Sequence, residues 1–215
     1  MNHRYIQYGL ILLLLQSSAV LSQNQSDVLI TEAKQQQAKL IDQFGLSKNQ
    51  WWLDQCHQLI AEMSLFEFKD CIIIDADFPN AYSLAHGSLI LTKGLMKNLN
   101  NSDQLAHVMA HEHAHLTMNH HQQAMQMVKN PPTFFTKSRL KKFYRQIEQQ
   151  ADIQSDEVLM AHGKDPKQIH HYLLRLENSM DEASNDHEKI QARIQRRDLP
   201  KEVIDVQWQQ QQPGD

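Results

Sequence analysis

His111-Glu112-His113-Ala114-His115 sets two imidazoles four residues apart, with a carboxylate directly after the first. A helix turns ~100° per residue, so His111 and His115 fall within about 40° of each other on one face, one turn apart. Two imidazoles so placed suit a single zinc ion at ~2.0–2.1 Å from each. Glu112 sits beside them, where it reaches a zinc-bound water rather than the metal. There it can take that water's proton and pass it to a leaving amine. Zinc lowers the pKa of water toward ~7 and polarises a carbonyl, so the chemistry on offer is amide hydrolysis at neutral pH. The chain has 13 histidines, however, and His113, His120 and His121 lie close by. A histidine-rich surface helix that merely collects metal is the competing reading. His113 points to the opposite side from the ligand pair, as a packed or solvated residue would.

A catalytic zinc needs a third protein ligand and an open fourth position. Downstream, Glu148-Gln149-Gln150-Ala151-Asp152 offers two acids one helical turn apart. Alone, such a pair is ordinarily a solvated surface feature. Behind an H-E-x-x-H helix it acquires two roles. Glu148 completes the metal site, and Asp152 hydrogen-bonds the far nitrogen of a liganding histidine, His111 by preference, fixing its tautomer.

These residues need elements to hold them. Apolar positions from Trp51 to Met63 recur at helical spacing. Asp70-Cys71-Ile72-Ile73-Ile74-Asp75 reads as a buried strand, Ala81–Leu84 as extended chain after the Pro79-Asn80 turn, and Ser88–Thr92 as a third strand after Gly87. The longest helix begins near Asn101, where Gln104 three residues on suggests a capping box, and runs unbroken to Pro131-Pro132. Another spans about Ser138 to His162, with Gly163 as its stop, and a third runs from Pro166 to about Met180. Residues 23–38 are Gln-rich and read as an exposed lead-in or the start of a surface helix. A protease must also hold an extended substrate, most simply as a strand added to a sheet edge. Ser88, Leu89, Ile90, Leu91 and Thr92 are the candidate edge strand, with an ordinary core strand as the alternative.

The N-terminus carries Arg4, no acid, and the apolar run Leu10–Leu15 fading into Ser17-Ser18-Ala19-Val20-Leu21-Ser22. That is the form of a cleaved signal peptide over residues 1–22. The apolar stretch is well short of the ~20 residues of a membrane-spanning helix. Residues 23–205 then suffice for one domain with a real core, and 206–215 form a Gln-rich tail expected to be disordered. The formal net charge of −4 includes Arg4, so the remainder is near −5. No basic block favours nucleic acid. Cys56 and Cys71 admit either a disulfide closing a short loop or two unpaired thiols, and the sequence leaves both open.

From about Cys71 to Arg196 the chain resembles the zinc endopeptidase family that includes HtpX, the CAAX prenyl proteases and the periplasmic BepA-type and LoiP-type proteases. The resemblance rests on Asn80-Ala81-Tyr82, Gly87 through Gly94-Leu95, and Leu105 through His115 with His120 following. It continues through Glu148–Asp152, Ala161–Pro166, and Asp186-His187 with Arg193. The chain departs from that pattern at His86-Gly87, where relatives often have two glycines, and at His187-Glu188, where they have His-Pro. The resemblance implies an α+β fold of the gluzincin type, mainly helical with a small sheet beside the metal helix. It implies one Zn2+ on His111, His115 and Glu148, with Glu112 as general base. It also brings His187 and Arg193 toward the metal, as candidates for an oxyanion donor or, for His187, a fourth ligand that keeps the enzyme latent. Unfolded or misfolded proteins in the periplasm are the expected substrates, with a secreted degradative peptidase as a variant. A non-proteolytic metal-binding or chaperone-like protein is the alternative, and Glu112 separates the two, since a metal store has no use for it.

Overall fold

The β-branched run after Asp70 alternates its side chains between two faces, and both faces are covered. The computed structural model describes residues 26–130, 136–170 and 172–173. Over these residues the protein is mainly helical with one three-stranded mixed sheet. Residues 26–44 form helix α1, so the Gln-rich lead-in is helical from its first described residue. Helix α2 is Gln50–Glu62, followed by β1 (Asp70–Ile74), β2 (Ala81–Ser83), β3 (Ser88–Thr92) and the short α3 (Lys93–Asn98). Helices α4 (Ser102–Thr117), α5 (His120–Lys129) and α6 (Thr136–Ala161) complete the described elements. A further helical turn begins at residue 168.

The strands lie in the order β1-β3-β2. β3 runs parallel to β1, with Ile72 opposite Ile90, and antiparallel to β2, with Tyr82 opposite Ile90. Ser88–Thr92 is therefore the central strand and not the edge expected of it. Every one of its five residues is buried, as a strand paired on both sides and covered on both faces requires. The sheet edges are β1 and β2, and β1 is covered at its end by an antiparallel bridge from Leu46 to Ile74, with the Ser47 N–H donating to Ile73 O and the Asp75 N–H to Gly45 O.

Period-2 alternation divides the core in two. Cys71, Ile73, Leu89 and Leu91 face α2, α3 and α4, packing with Trp52, Leu59, Leu95 and Met109. Ile74 and Ile90 face the other way, onto Ala33, Leu40, Ile41 and Phe44 of α1. A disulfide joins Cys56 of α2 to Cys71 of β1, which settles the alternative left open above. It closes a loop of 15 residues, so constraint of the unfolded chain accounts for about 3 kcal/mol. The Cys56→Ala/Cys71→Ala double variant is expected to lose about that much stability in urea unfolding. A loss below ~1 kcal/mol would contradict the estimate.

Two glycines are needed where they stand. Gly87, at φ 96°, makes the turn into β3, and a Cβ there would lie 2.7 Å from the Glu67 carbonyl oxygen. At Gly94 a Cβ would overlap the Asp77 carbonyl.

Helix α4 starts as its sequence suggests, with one change in the cap. The Asn101 side chain accepts from the Gln104 amide at 2.9 Å, but Gln104 Oε1 accepts from the amide of Asn100, not of Asn101, also at 2.9 Å. The helix then ends earlier than expected. Met118 and Asn119 break it, Asn119 taking a left-handed conformation (φ 55°, ψ 35°), and α5 restarts at His120. The expected single helix to Pro131 is thus two. No glycine or proline marks the break; only Asn, which tolerates that conformation better than most residues, stands at the turn.

A candidate metal centre between two antiparallel helices

Helices α4 and α6 pack with a regular register. His107 Nε2 lies 3.1 Å from Asp156 Oδ1, His111 Nδ1 lies 3.1 Å from Asp152 Oδ1, and His115 Nε2 lies 3.6 Å from Glu148 Oε1. Each step of four up α4 matches a step of four down α6, so the helices run antiparallel with one seam of three histidines facing one seam of three acids. This follows from helical periodicity: residues four apart share a face. Helix α6, 26 residues and so about 39 Å long, is ample to carry the whole seam.

Three side chains of this seam converge. His111 Nε2 and His115 Nε2 are 3.2 Å apart. Glu148 Oε2 is 3.4 Å from the first, and Glu148 Oε1 is 3.6 Å from the second. A tetrahedral ion holding N and O donors at ~2.0–2.2 Å sets them about 3.4 Å apart. The three side chains therefore fit a metal, and among the described residues they are the group of His, Cys, Asp and Glu that can hold one. Burial pushes the pKa of His115 down to about 4, against the opposite pull of the Glu112 and Glu148 carboxylates. Near pH 7 the ring is thus neutral, with a lone pair to offer. Asp152, nearly buried, bonds the nitrogen of His111 that faces away from the cluster, as a supporting acid does.

Glu112 does not join the three. Its Oε2 accepts from the backbone N–H of Ser83 at 2.9 Å and from the Ser83 hydroxyl at 2.7 Å. Both donors are on β2, so the strand edge fixes the carboxylate through Oε2. Ser83 was not foreseen in this role, and nothing in its local sequence marks it. The β2–β3 ladder explains why it is available. Thr92 N–H donates to Asn80 O and Leu84 N–H to Ser88 O, so alternate residues Ala81 and Ser83 turn their backbone groups outward. The carbonyl of Ser83 accepts from His121 Nε2 at 2.5 Å.

The outer edge of β2 and the three converging side chains line one cavity of about 670 Å³. Its far wall is α1, through Leu29, Glu32, Ala33 and Gln36, a single stripe at helical spacing. The sequence offered no sign that this helix borders the site.

The surrounding histidines have partners within the protein. His113, on the far side of α4 as expected, is buried, bonded to Glu67, and set edge-on to Phe68 with ring centroids 5.4 Å apart. His120 is buried against His115, and burial lowers its pKa. His187 and Arg193 lie outside the described residues, as does the segment 1–22.

With this geometry in place, the relation to known proteins carries weight. Residues 46–140 match the model of peptidase family M48. The matched stretch contains the sheet, α4 and α5, hence His111, Glu112 and His115, and supports a metalloprotease. It stops short of Glu148, which the fold alone brings to the histidines. No curated protein matches the chain. Among the described residues no helix is long and apolar enough to cross a membrane.

Proposed function

We propose that this chain is a zinc-dependent endopeptidase of the M48 family. The observation that carries the reading is the convergence of two imidazoles and one carboxylate at tetrahedral spacing, with a second carboxylate, Glu112, held to one side by Ser83. His111, His115 and Glu148 hold the zinc. Once bound there, zinc supplies a Lewis acid that polarises the scissile carbonyl and acidifies water. Asp152 keeps the proton of His111 on Nδ1 and so keeps Nε2 directed at the metal.

Glu112 Oε1 takes the proton of the attacking water and delivers it to the leaving nitrogen, while Ser83 holds Oε2 still. The substrate lies as an added strand along the outer edge of β2, donating to the Ala81 carbonyl, while the Ala81 N–H is held by the Asn80 side chain, with α1 across the cleft. His187 and Arg193 remain the proposed source of an oxyanion donor.

The disulfide and the sequence of residues 1–22 support export to an oxidising compartment, which we take to be the periplasm. The domain extends to about residue 205, and its substrates are unfolded or misfolded envelope proteins.

Cleavage of unfolded casein by the purified protein tests this. The expected result is about one zinc per chain, activity abolished by a chelator, and activity restored by stoichiometric zinc. Cleavage that survives complete zinc removal would overturn it.

A further inference from the structure

His120 occupies the first position of α5 and is buried at 2% exposure. Were α4 continuous, five residues at ~100° each would carry His120 about 140° around the axis from His115. The left-handed Asn119 prevents this by breaking the helix and redirecting the chain. His120 is thereby returned to His115, its Nδ1 3.0 Å from Nδ1 of His115, with ring centroids 5.0 Å apart and ring planes at 70°. Its other nitrogen, Nε2, lies 3.2 Å from Oε1 of Gln150 on α6.

Proton counting along this row leaves one arrangement compatible with a metal at His115 Nε2. A neutral His115 with a bare Nε2 carries its proton on Nδ1 and donates it to His120. His120 Nδ1 must then be bare, so its own proton sits on Nε2 and is donated to the Gln150 carbonyl. Reversing the row, with Gln150 donating through its amide nitrogen, puts protons on His120 Nδ1 and His115 Nε2. That closes His115 to any metal. We infer that His120, backed by Gln150, is a positioning residue for the metal centre: it accepts the Nδ1 proton of His115 and locks that ring in the tautomer that presents Nε2 to zinc. The inference rests on the proposed zinc site.

The two histidine ligands are then supported differently, His111 by the carboxylate of Asp152 and His115 by a neutral ring. A carboxylate in place of His120 would add a negative charge to a site that already has Glu112, Glu148 and Asp152. The break at Asn119 has a purpose in this scheme, because it alone brings His120 back.

The test combines tautomer and affinity measurements. Long-range 1H–15N correlation spectra of 15N-histidine-labelled protein are recorded with zinc bound. They are expected to show His115 protonated at Nδ1 and bound through Nε2, and His120 neutral with its proton on Nε2. By competition with a chelator, His120→Ala is expected to bind zinc about 10–100-fold more weakly than wild type. His120→Asn, whose side-chain carbonyl can accept from His115, should recover part of that loss, which a merely space-filling role would not produce. A proton on Nδ1 of His120 in the zinc-bound protein would overturn the inference, as would an unchanged affinity in His120→Ala. Should the alanine variant fail to fold, the wild-type tautomers decide. If wild type shows no zinc on His111 and His115, the zinc site itself fails, and the role of His120 with it.

Discussion

Glu112→Gln is expected to keep its zinc and lose casein cleavage by on the order of 10²–10⁴-fold, the usual contribution of a positioned general base. The substitution is close to isosteric. A Gln carbonyl oxygen can still accept from the backbone and hydroxyl of Ser83, so the bond between β2 and α4 survives. What is lost is the proton acceptor. The effect should fall on kcat, with KM and zinc content close to wild type, because Glu112 is outside the converging group. Steady-state kinetics beside metal analysis of the same sample check this. A variant that cuts at the wild-type rate would remove Glu112 from the mechanism, and one that loses zinc would make it a ligand.

Glu148→Ala should lose both metal and activity. Two imidazoles alone leave the ion without its third protein donor. The affinity is expected to fall by more than the roughly 10–100-fold that follows loss of a merely supporting residue. The fold should persist, since the Glu148 side chain is about one-third exposed and α6 is anchored through Ile147, Ala151 and Leu159. Thermal unfolding separates these effects. A ligand that binds only the folded state, present at 100 times its Kd, adds about 2.7 kcal/mol of stability. Zinc should therefore raise the Tm of wild type and leave that of Glu148→Ala nearly unchanged. Equal shifts in both proteins would mean that zinc binds elsewhere.

The parts of this site that could be read from sequence are those that periodicity alone converts into geometry. Four-residue spacing puts His111 and His115 on one face whatever surrounds the helix, and it does the same for Glu148 and Asp152. Strand positions were legible for a similar reason, as short β-branched runs bounded by turns. What could not be read depends on partners far along the chain. Which strand is central is decided by pairing, and β3 lies between β1 and β2 although it follows both in sequence. Ser88–Thr92 was therefore read as an edge although it is paired on both sides. The stop at Asn119 lacked the usual glycine or proline, so α4 and α5 read as one helix, a course that gives His120 no contact with His115. Ser83 became a partner of Glu112 only through the ladder that turns its amide outward. The cysteine pair was undecidable for the same reason: α2 and β1 had first to be placed side by side.

Zinc-edge anomalous diffraction from crystals of the zinc-loaded protein tests the central claim most directly. The predicted result is one strong peak per chain at bonding distance, ~2.0–2.2 Å, from His111 Nε2, His115 Nε2 and a carboxylate oxygen of Glu148. A stoichiometric peak on other residues, or none beside these three in zinc-replete protein, would contradict it.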